Sequence, residues 1–355
     1  MKLQLFRKKI LSIDFGGNEI KIVEGQVVNK NINIHKAFTV KLPNNLYNDG
    51  EILDLNAIVS LIRDSLKANK VKSDIVHGVI NSSKIITRNL TIPEVPENDI
   101  PSLIKYQLDE LLPAPITDFI TDYLLVGKRR EDGVEKIDIL VICIPNQMVL
   151  DHFELIKAIG LKPLVLDYQG NSVAKLLEIN SSINEFYNIR DMTVASIDLG
   201  YCNCKLNIIK NGKLLLTRVI TKGVSTILGS LKSELDSFEE NRIEELLQDV
   251  DISHDIEELN EETSVIFQVR SIIEDLLEEI SMIFRFYFTR DWGNAINYIV
   301  LQGGLSNVIG IENLFSNYFN IPTLTLKKLD NVRTKYDISK FSNAIGGLIR
   351  LYEVL

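Results

Sequence analysis

The sequence predicts an α/β protein with two duplicated lobes and a smaller α+β module inserted in the first lobe. Duplication is indicated by a repeated segment, since Ser12-Ile-Asp-Phe-Gly16 recurs as Ser196-Ile-Asp-Leu-Gly200. Each copy ends a short apolar strand and is followed by a turn and a second strand. A chance match of five residues would not explain that shared context. The module is indicated by proline-bounded strands and helices that interrupt the first lobe over residues 82–162.

The composition excludes several classes of protein. The 355 residues carry a formal net charge of −9, from 39 basic and 48 acidic side chains, so nucleic acid is not expected as a partner. Three cysteines do not form a disulfide framework, which favours a reducing compartment. Cys202-x-Cys204 has no histidine near it and is interpreted as two small side chains of a strand rather than a zinc site.

Neither a membrane span nor a signal peptide is expected. No apolar run approaches the roughly 18 residues that are needed to cross a bilayer. The apolar stretch of residues 1–9 is interrupted by charge and is followed by Asp14. The predicted location is therefore the cytoplasm.

The first lobe is predicted from strands and one amphipathic helix. Its β-branched stretches predict strands over residues 11–15, 20–27, 32–40 and 75–80. The helix, over residues 53–69, has Ile58, Ile62 and Leu66 on one face.

The inserted module has its own order of elements. Its predicted strands cover residues 85–92, 119–126 and 136–144. A helix over 99–112 is stopped by Pro113-Ala-Pro115, and a second helix over 147–159 ends at Gly160. The first lobe then resumes with a strand over 164–167 and a helix over 171–179.

The second lobe opens near Val194 with two strands joined by a turn, and Gly223 precedes a helix whose start is marked by Ser225 and Thr226. Residues 232–262 carry thirteen acidic and two basic side chains. We interpret this run as a solvated face, with a docking surface for a basic partner as the alternative. The remaining predicted elements are an amphipathic helix over 265–288, strands over 298–301 and 323–326, a helix over 309–318 and a last helix around Gly346-Gly347.

The two Asp-x-Gly turns are suited to binding phosphate. Glycine lets backbone N–H groups approach a phosphate closely, and an aspartate can hold the water shell of Mg²⁺ beside it. Lys21 follows Asp14 by seven residues, so its charge could reach a phosphate. Gly303-Gly304, between a strand and a helix, would let an adenosine lie against the backbone. A structural turn is the alternative for each motif alone, and the order of the motifs favours a nucleotide.

This order resembles the actin-like ATPase superfamily, whose two lobes are duplicated RNase H-like domains. Asp14-Phe-Gly16 with Lys21 is similar to its phosphate motif one, and Asp198-Leu-Gly200 to phosphate motif two. Leu301–Leu305 resembles its adenosine motif, and Ala344–Gly347 resembles its second connecting helix.

Within the superfamily the chain resembles the PilM family of type IV pilus assembly proteins, which is related to the cell-division protein FtsA. The inserted module has the position of their subdomain 1C. Phe6–Lys9, Ile13–Gly17 and Ile20–Glu24 are similar to the opening of PilM chains. Ile104–Leu108 with Leu111-Leu-Pro113 is similar to a PilM helix.

The resemblance implies cofactors, site residues and subdomains. ATP and Mg²⁺ are the implied cofactors, with Asp14 and Asp198 as catalytic residues that hold the metal through water. The implied nucleotide-binding residues are Gly16, Gly17, Asn18, Lys21, Gly200, Tyr201, Asn203, Gly223, Gly303, Gly304 and Leu305. The implied subdomains are 1A over residues 1–81, 1C over 82–162, a return to 1A with a connecting helix over 163–192, 2A over 193–222 and again over 293–355, and 2B over 223–292.

The chain departs from the family at several of these positions. Gly17 and Asn18 stand where PilM-like chains usually have Ser or Thr. Residues 201–204 replace the usual Gly and Thr, and Lys222-Gly223 replaces a pair of glycines. Hydroxyl donors are lost while both aspartates remain, so we expect ATP binding with slow hydrolysis at most.

The resemblance implies a component of the type IV pilus, or of a related secretion machine, at the inner face of the cytoplasmic membrane. PilM-like proteins bind ATP between their lobes. They capture the N-terminal cytoplasmic tail of the inner-membrane protein PilN in a groove between subdomains 1A and 1C. ATP would then be coupled to partner affinity. Two further kinds of partner stay open. One is another pilus assembly protein, such as the assembly ATPase, and the other is a second copy of the chain.

Two alternative functions remain from the same superfamily. An FtsA-like division protein would normally carry a C-terminal amphipathic membrane helix, and we expect residues 347–355 to be too few for a linker and an anchor. A sugar or acetate kinase would need a base for its substrate near the cleft and lacks the inserted module.

Overall fold

The computed structural model describes residues 9–43, 46–226, 229–230, 251–253, 261–290 and 293–350. The chain divides into two compact units. The first unit runs to residue 178 and includes residues 212–216 and the chain from 343 on, and the second holds residues 179–211 and 217–342. Most of the acidic run 232–262 lies outside the described residues. The subdomain bounds within each unit stay predictions.

The first unit alternates strands and helices along the chain. In order, its elements are β1 (Ile10–Phe15), β2 (Glu19–Val28), β3 (Asn31–Lys41), β4 (Tyr47–Asn48), β5 (Glu51–Ile52), α1 (Leu55–Ala68), β6 (Ile75–Ile80), β7 (Ile86–Pro93), α2 (Ile100–Leu108), β8 (Phe119–Glu131), β9 (Val134–Pro145), α3 (Asn146–Ile159), β10 (Lys162–Tyr168) and α4 (Gln169–Glu178).

Five strands of this unit form a central sheet. They lie side by side in the order β10, β6, β1, β2, β3. β1 is antiparallel to β2 and parallel to β6, and β6 is parallel to β10. The carboxyl ends of β1, β6 and β10 therefore meet at one edge of the sheet. Leu11 and Ile13 of β1 are fully buried, which explains the apolar run before Asp14.

Glu24 joins the central sheet to the segment before β6. Its side chain is buried, and Oε1 accepts hydrogen bonds from the backbone N–H groups of Lys72 at 2.8 Å and Ser73 at 3.0 Å. Lys36 Nζ lies 3.6 Å from Oε2. Burial by itself raises the pKa of Glu24, but the two N–H donors and Lys36 together hold it below the ordinary value.

The inserted module is a three-stranded antiparallel sheet, in the order β7, β9, β8, with α2 packed on one face. Ile92, Leu108 and Ile139 are fully buried in its core. α2 is shorter than the predicted 99–112, because the N–H groups of residues 111 and 112 both turn back to the carbonyl of Leu108 ahead of Pro113.

α3, which the sequence grouped with the module, packs against the elements of the central sheet. It contacts α1 and β10. Arg63 of α1 donates from Nε to the carbonyl of Ile159 at 3.2 Å, and the ring of His152 meets the ring of Phe15 at 4.9 Å between centroids. α3 directly follows β9 of the module and packs against α1 and β10, so its first residues form the junction between the module and the central sheet.

The elements after α4 begin with two short strands. In order they are β11 (Ser182–Ile183), β12 (Tyr187–Asn188), β13 (Thr193–Leu199), β14 (Cys204–Lys210), β15 (Lys213–Ile220), α5 (Glu261–Arg290), β16 (Tyr298–Gln302), α6 (Ile311–Phe319), β17 (Thr323–Thr325), β18 (Val332–Arg333) and α7 (Ile338–Gly347). Residues 224–226 and 229–230 are also helical, as predicted for the segment after Gly223.

The sheet that contains the second repeat has the order β15, β14, β13, β16, β17. β13 is antiparallel to β14 and parallel to β16, as β1 is to β2 and β6. The predicted repeat therefore occupies the same place in both sheets. The strands of only two residues were not predicted, because two residues are too few to show the alternation of apolar and polar side chains that indicates a strand. Among the described helices, none combines the length and the apolar content that crossing a bilayer requires.

Candidate functional site

The two repeated segments form hairpins with the same register. Asp14 pairs with Lys21 across the first hairpin, and Asp198 pairs with Lys205 across the second. Both turns are equally tight: a Cβ added at Gly16 would lie 2.7 Å from the carbonyl oxygen of Glu19, and one added at Gly200 would lie 2.7 Å from that of Asn203. Each hairpin therefore places a carboxylate, a lysine and a glycine turn together.

Asp14 is held by a residue that the sequence analysis missed. Its side chain is buried, and Gln169 Nε2 donates to Oδ1 at 2.5 Å. Gln169 is the first residue of α4, directly after β10, so it reaches Asp14 across the edge where the parallel strands end. No local pattern marks Gln169, because the two residues are 155 positions apart in the chain.

A buried aromatic cluster lies next to Asp14. His152 Nδ1 is 2.7 Å from the carbonyl of Met148 and donates to it, so Nε2 accepts from the Tyr47 hydroxyl at 3.1 Å. Burial lowers the pKa of His152, and burial together with Asp14 raises the pKa of Tyr47. Both rings therefore stay neutral near pH 7, and they fix Phe15, the residue after Asp14.

Asp198 lies in a different environment. Lys205 Nζ is 3.5 Å from its Oδ2, and the two side chains are only 14% and 5% exposed. Gly303 packs against the same carboxylate: it has φ +90°, and a Cβ there would lie 2.4 Å from Oδ1 of Asp198. Asp198, Lys205 and Gly303 therefore converge. Lys205 was not among the predicted site residues, although it follows Asp198 by seven residues as Lys21 follows Asp14.

The helix after Gly223 is anchored on the second turn. The N–H of Val224 donates to the carbonyl of Gly200 at 3.2 Å, and the N–H of Ser225 donates to that of Tyr201 at 2.8 Å. These first amides of the helix have acceptors in the turn.

A small pocket adjoins the second hairpin. Gly200, Gly223 and Leu305, from three predicted motifs, line it. Its remaining lining residues are Leu199, Cys204, Lys222 and, from α5, Ile272, Ile273 and Leu276. Lys222 donates toward Glu279 at 2.9 Å, which raises its pKa and keeps it charged.

The predicted site residues fall into two groups, one in each unit. The first hairpin holds Asp14, Gly16, Gly17, Asn18 and Lys21. The second unit holds Asp198, Gly200, Tyr201, Asn203, Gly223, Gly303, Gly304 and Leu305. Their roles stay predictions.

Mg²⁺ prefers oxygen ligands and keeps much of its water shell. Asp14 offers carboxylate oxygens beside the amide of Gln169, which suits this ion. Asp198 already has an ammonium beside it, and a second cation there would be repelled. Within the described residues, no group of three or more His, Cys, Asp or Glu side chains is placed to hold a metal ion.

Comparison with known proteins adds a family and a fold. Residues 12–342 match the family model of the type IV pilus assembly protein PilM. A solved PilM-PilN type IV pilus biogenesis complex is similar, with TM-score 0.80 and 18% identity over 96% of this chain and 98% of that chain.

Two further solved structures share the fold. The ethanolamine utilization protein EutJ from Carboxydothermus hydrogenoformans has TM-score 0.55 and 15% identity over 97% of this chain and 90% of its own. MreB 5 of Spiroplasma citri, solved bound to AMPPNP, has TM-score 0.52 and 12% identity over 96% of this chain and 94% of its own. The predicted actin-like ATPase fold is confirmed.

Proposed function

The chain belongs to the family of the type IV pilus assembly protein PilM, and from this premise we propose that it is an ATP-binding adaptor that captures the N-terminal tail of a PilN-type membrane protein. The observation that carries the proposal is the pair of Asp-x-Gly hairpins with one register, Asp14 with Lys21 and Asp198 with Lys205. Capture would bring the chain to the cytoplasmic face of the membrane. Family membership favours this function over an FtsA-like protein or a kinase.

The residues of each hairpin suit one part of ATP. Backbone N–H groups of residues 16–18 and 200–203 would hold phosphate oxygens. Asp14 would hold the water shell of Mg²⁺, which would neutralise phosphate charge. Gly303, Gly304 and Leu305 would lie against the adenosine. MreB 5, which shares the fold, was solved bound to AMPPNP, and this supports a nucleotide as the ligand class.

ATP would act mainly by binding rather than by turnover. Asn18, Asn203 and Cys204 stand where hydroxyl side chains are usual in the family. Burial raises the pKa of Cys204 and keeps its thiol protonated. We propose hydrolysis at or below about 1 per second, the low end of ordinary enzyme rates.

The tail would dock at the junction between the module and α3. The similar solved complex contains PilM and PilN, which supports a PilN-type partner. Asn146 of α3 donates to the carbonyl of Thr117, just before β8, at 2.6 Å. Two apolar side chains near this contact are about half exposed, Ile120 on β8 at 47% and Leu150 on α3 at 55%. Leu90 of β7 lies in the core of the module and is not part of this surface.

Replacing Asp14 tests the ATP part of this proposal. Asp14→Ala removes the carboxylate beside the first turn, and we expect ATP affinity in Mg²⁺ to fall by at least about tenfold, or 1.4 kcal/mol. Isothermal titration calorimetry of ATP against the full chain measures this. Asp109→Ala, on an exposed carboxylate of the module, is the control and should bind as the unmodified chain does. Unchanged affinity in Asp14→Ala would contradict the assignment.

A further inference from the structure

We propose that Lys205 is a phosphate-binding residue, and that its ammonium serves at Asp198 in place of Mg²⁺. The inference rests on the proposed binding of ATP. The cation at the second hairpin would then be a lysine side chain rather than a bound metal ion.

The two hairpins are symmetric in their cross-strand pairs. Lys21 lies directly across from Asp14, and Lys205 lies directly across from Asp198. Lys21 was assigned to phosphate because of its place after the first turn. The same register gives Lys205 the same place relative to the second turn. If one lysine contacts phosphate from its hairpin, the geometry of the other hairpin allows the same contact.

The ammonium of Lys205 lies beside the second turn. A Cβ added at Gly200 would lie 3.9 Å from Lys205 Nζ, so the ammonium is beside the turn whose N–H groups would take phosphate. Its distance of 3.5 Å to Asp198 Oδ2 is that of an ion pair rather than a short hydrogen bond. An ammonium has three donors, so this contact leaves capacity for a phosphate oxygen.

The charges of Asp198 and Lys205 balance each other. Asp198 and Lys205 are both mostly buried, and together they are neutral. A divalent cation gains little from a carboxylate whose charge is already balanced, while a phosphate gains an N–H turn and an ammonium. Binding at the second hairpin should therefore depend weakly on Mg²⁺.

The competing explanation is that Lys205 only neutralises a buried aspartate and never contacts a ligand. Calorimetry with ATP, in Mg²⁺ and in EDTA, separates the two explanations. We expect Lys205→Met to lose at least about tenfold in affinity in both conditions, because its ammonium would contact the phosphate whether or not Asp14 holds Mg²⁺. Lys210→Met, exposed on the same strand, is the control and should bind as the unmodified chain does.

Asp198→Asn gives a second test if Lys205→Met does not fold. This variant keeps the Lys205 ammonium and removes the carboxylate charge beside it. In EDTA it should therefore bind ATP more tightly than the unmodified chain does. Weaker binding of Asp198→Asn in Mg²⁺ alone would make Asp198 a metal site and overturn the inference, as would full affinity in Lys205→Met. Absence of ATP binding in the unmodified chain would instead contradict the proposed function.

Discussion

Gly303→Ala is expected to abolish ATP binding and to lower the free energy of unfolding by about 3 kcal/mol. Gly303 has φ +90° and ψ −175°, a conformation that is essentially restricted to glycine. The new Cβ would also lie 2.4 Å from Oδ1 of Asp198 and 2.8 Å from the backbone oxygen of Leu199. The backbone must move to accept it, and the motion would displace Asp198 and Leu305 together.

Gly304→Ala is the matched control for this change. No heavy atom lies within 4 Å of a Cβ built at Gly304, so this substitution should leave the free energy of unfolding nearly unchanged. Urea unfolding measures the stability of both variants, and calorimetry measures their ATP binding. Equal stability of the two variants would contradict the packing of Gly303 against Asp198.

Glu24→Ala is expected to lower the free energy of unfolding by about 3 kcal/mol at pH 7. It leaves the N–H groups of Lys72 and Ser73 without their acceptor and Lys36 without its charge partner. Glu51→Ala is the control, since Glu51 pairs with Lys84 at an exposed position and should cost no more than about 1 kcal/mol.

The effect of Glu24 should depend on pH in a known direction. Its pKa in the folded chain is below the ordinary value of 4.5. The carboxylate therefore contributes stability that is fully present above pH 4.5 and is lost as the pH falls through the lowered pKa. The stability difference between the unmodified chain and Glu24→Ala should shrink on acidification below that value. A difference that stays constant down to pH 3 would contradict the account.

Much of the fold could be predicted because the signals are local. The apolar strands before Asp14 and Asp198 and the turn chemistry after them define both hairpins. The predicted ends of helices and strands were less accurate where a tertiary contact or a turn terminates the element, as at the end of α2. The packing of α3 against α1 and β10 was not predicted, because helical periodicity gives an apolar face but not the surface that it covers.

The site could be predicted in part for the same reason. Residues on one hairpin share a local pattern, so Asp14 and Lys21 were identifiable together. Gln169 was not, because only the sheet brings it to Asp14. Lys205 could have been identified from its spacing to Asp198, which repeats the spacing of Lys21 to Asp14. No local pattern predicts that α5 supplies apolar side chains to the pocket at Leu305.

The most direct test of the account is the affinity of the chain for a synthetic peptide of a PilN-type N-terminal tail, titrated with and without ATP. The unmodified chain should bind one peptide, with an affinity that ATP changes severalfold. Ile120→Asp should weaken binding by at least about tenfold, because a charge would enter an apolar junction. Val134→Asp, at a side chain 51% exposed beside the hairpin turn of the module, should not. A peptide that fails to bind the unmodified chain, or binds Ile120→Asp equally well, would contradict the account.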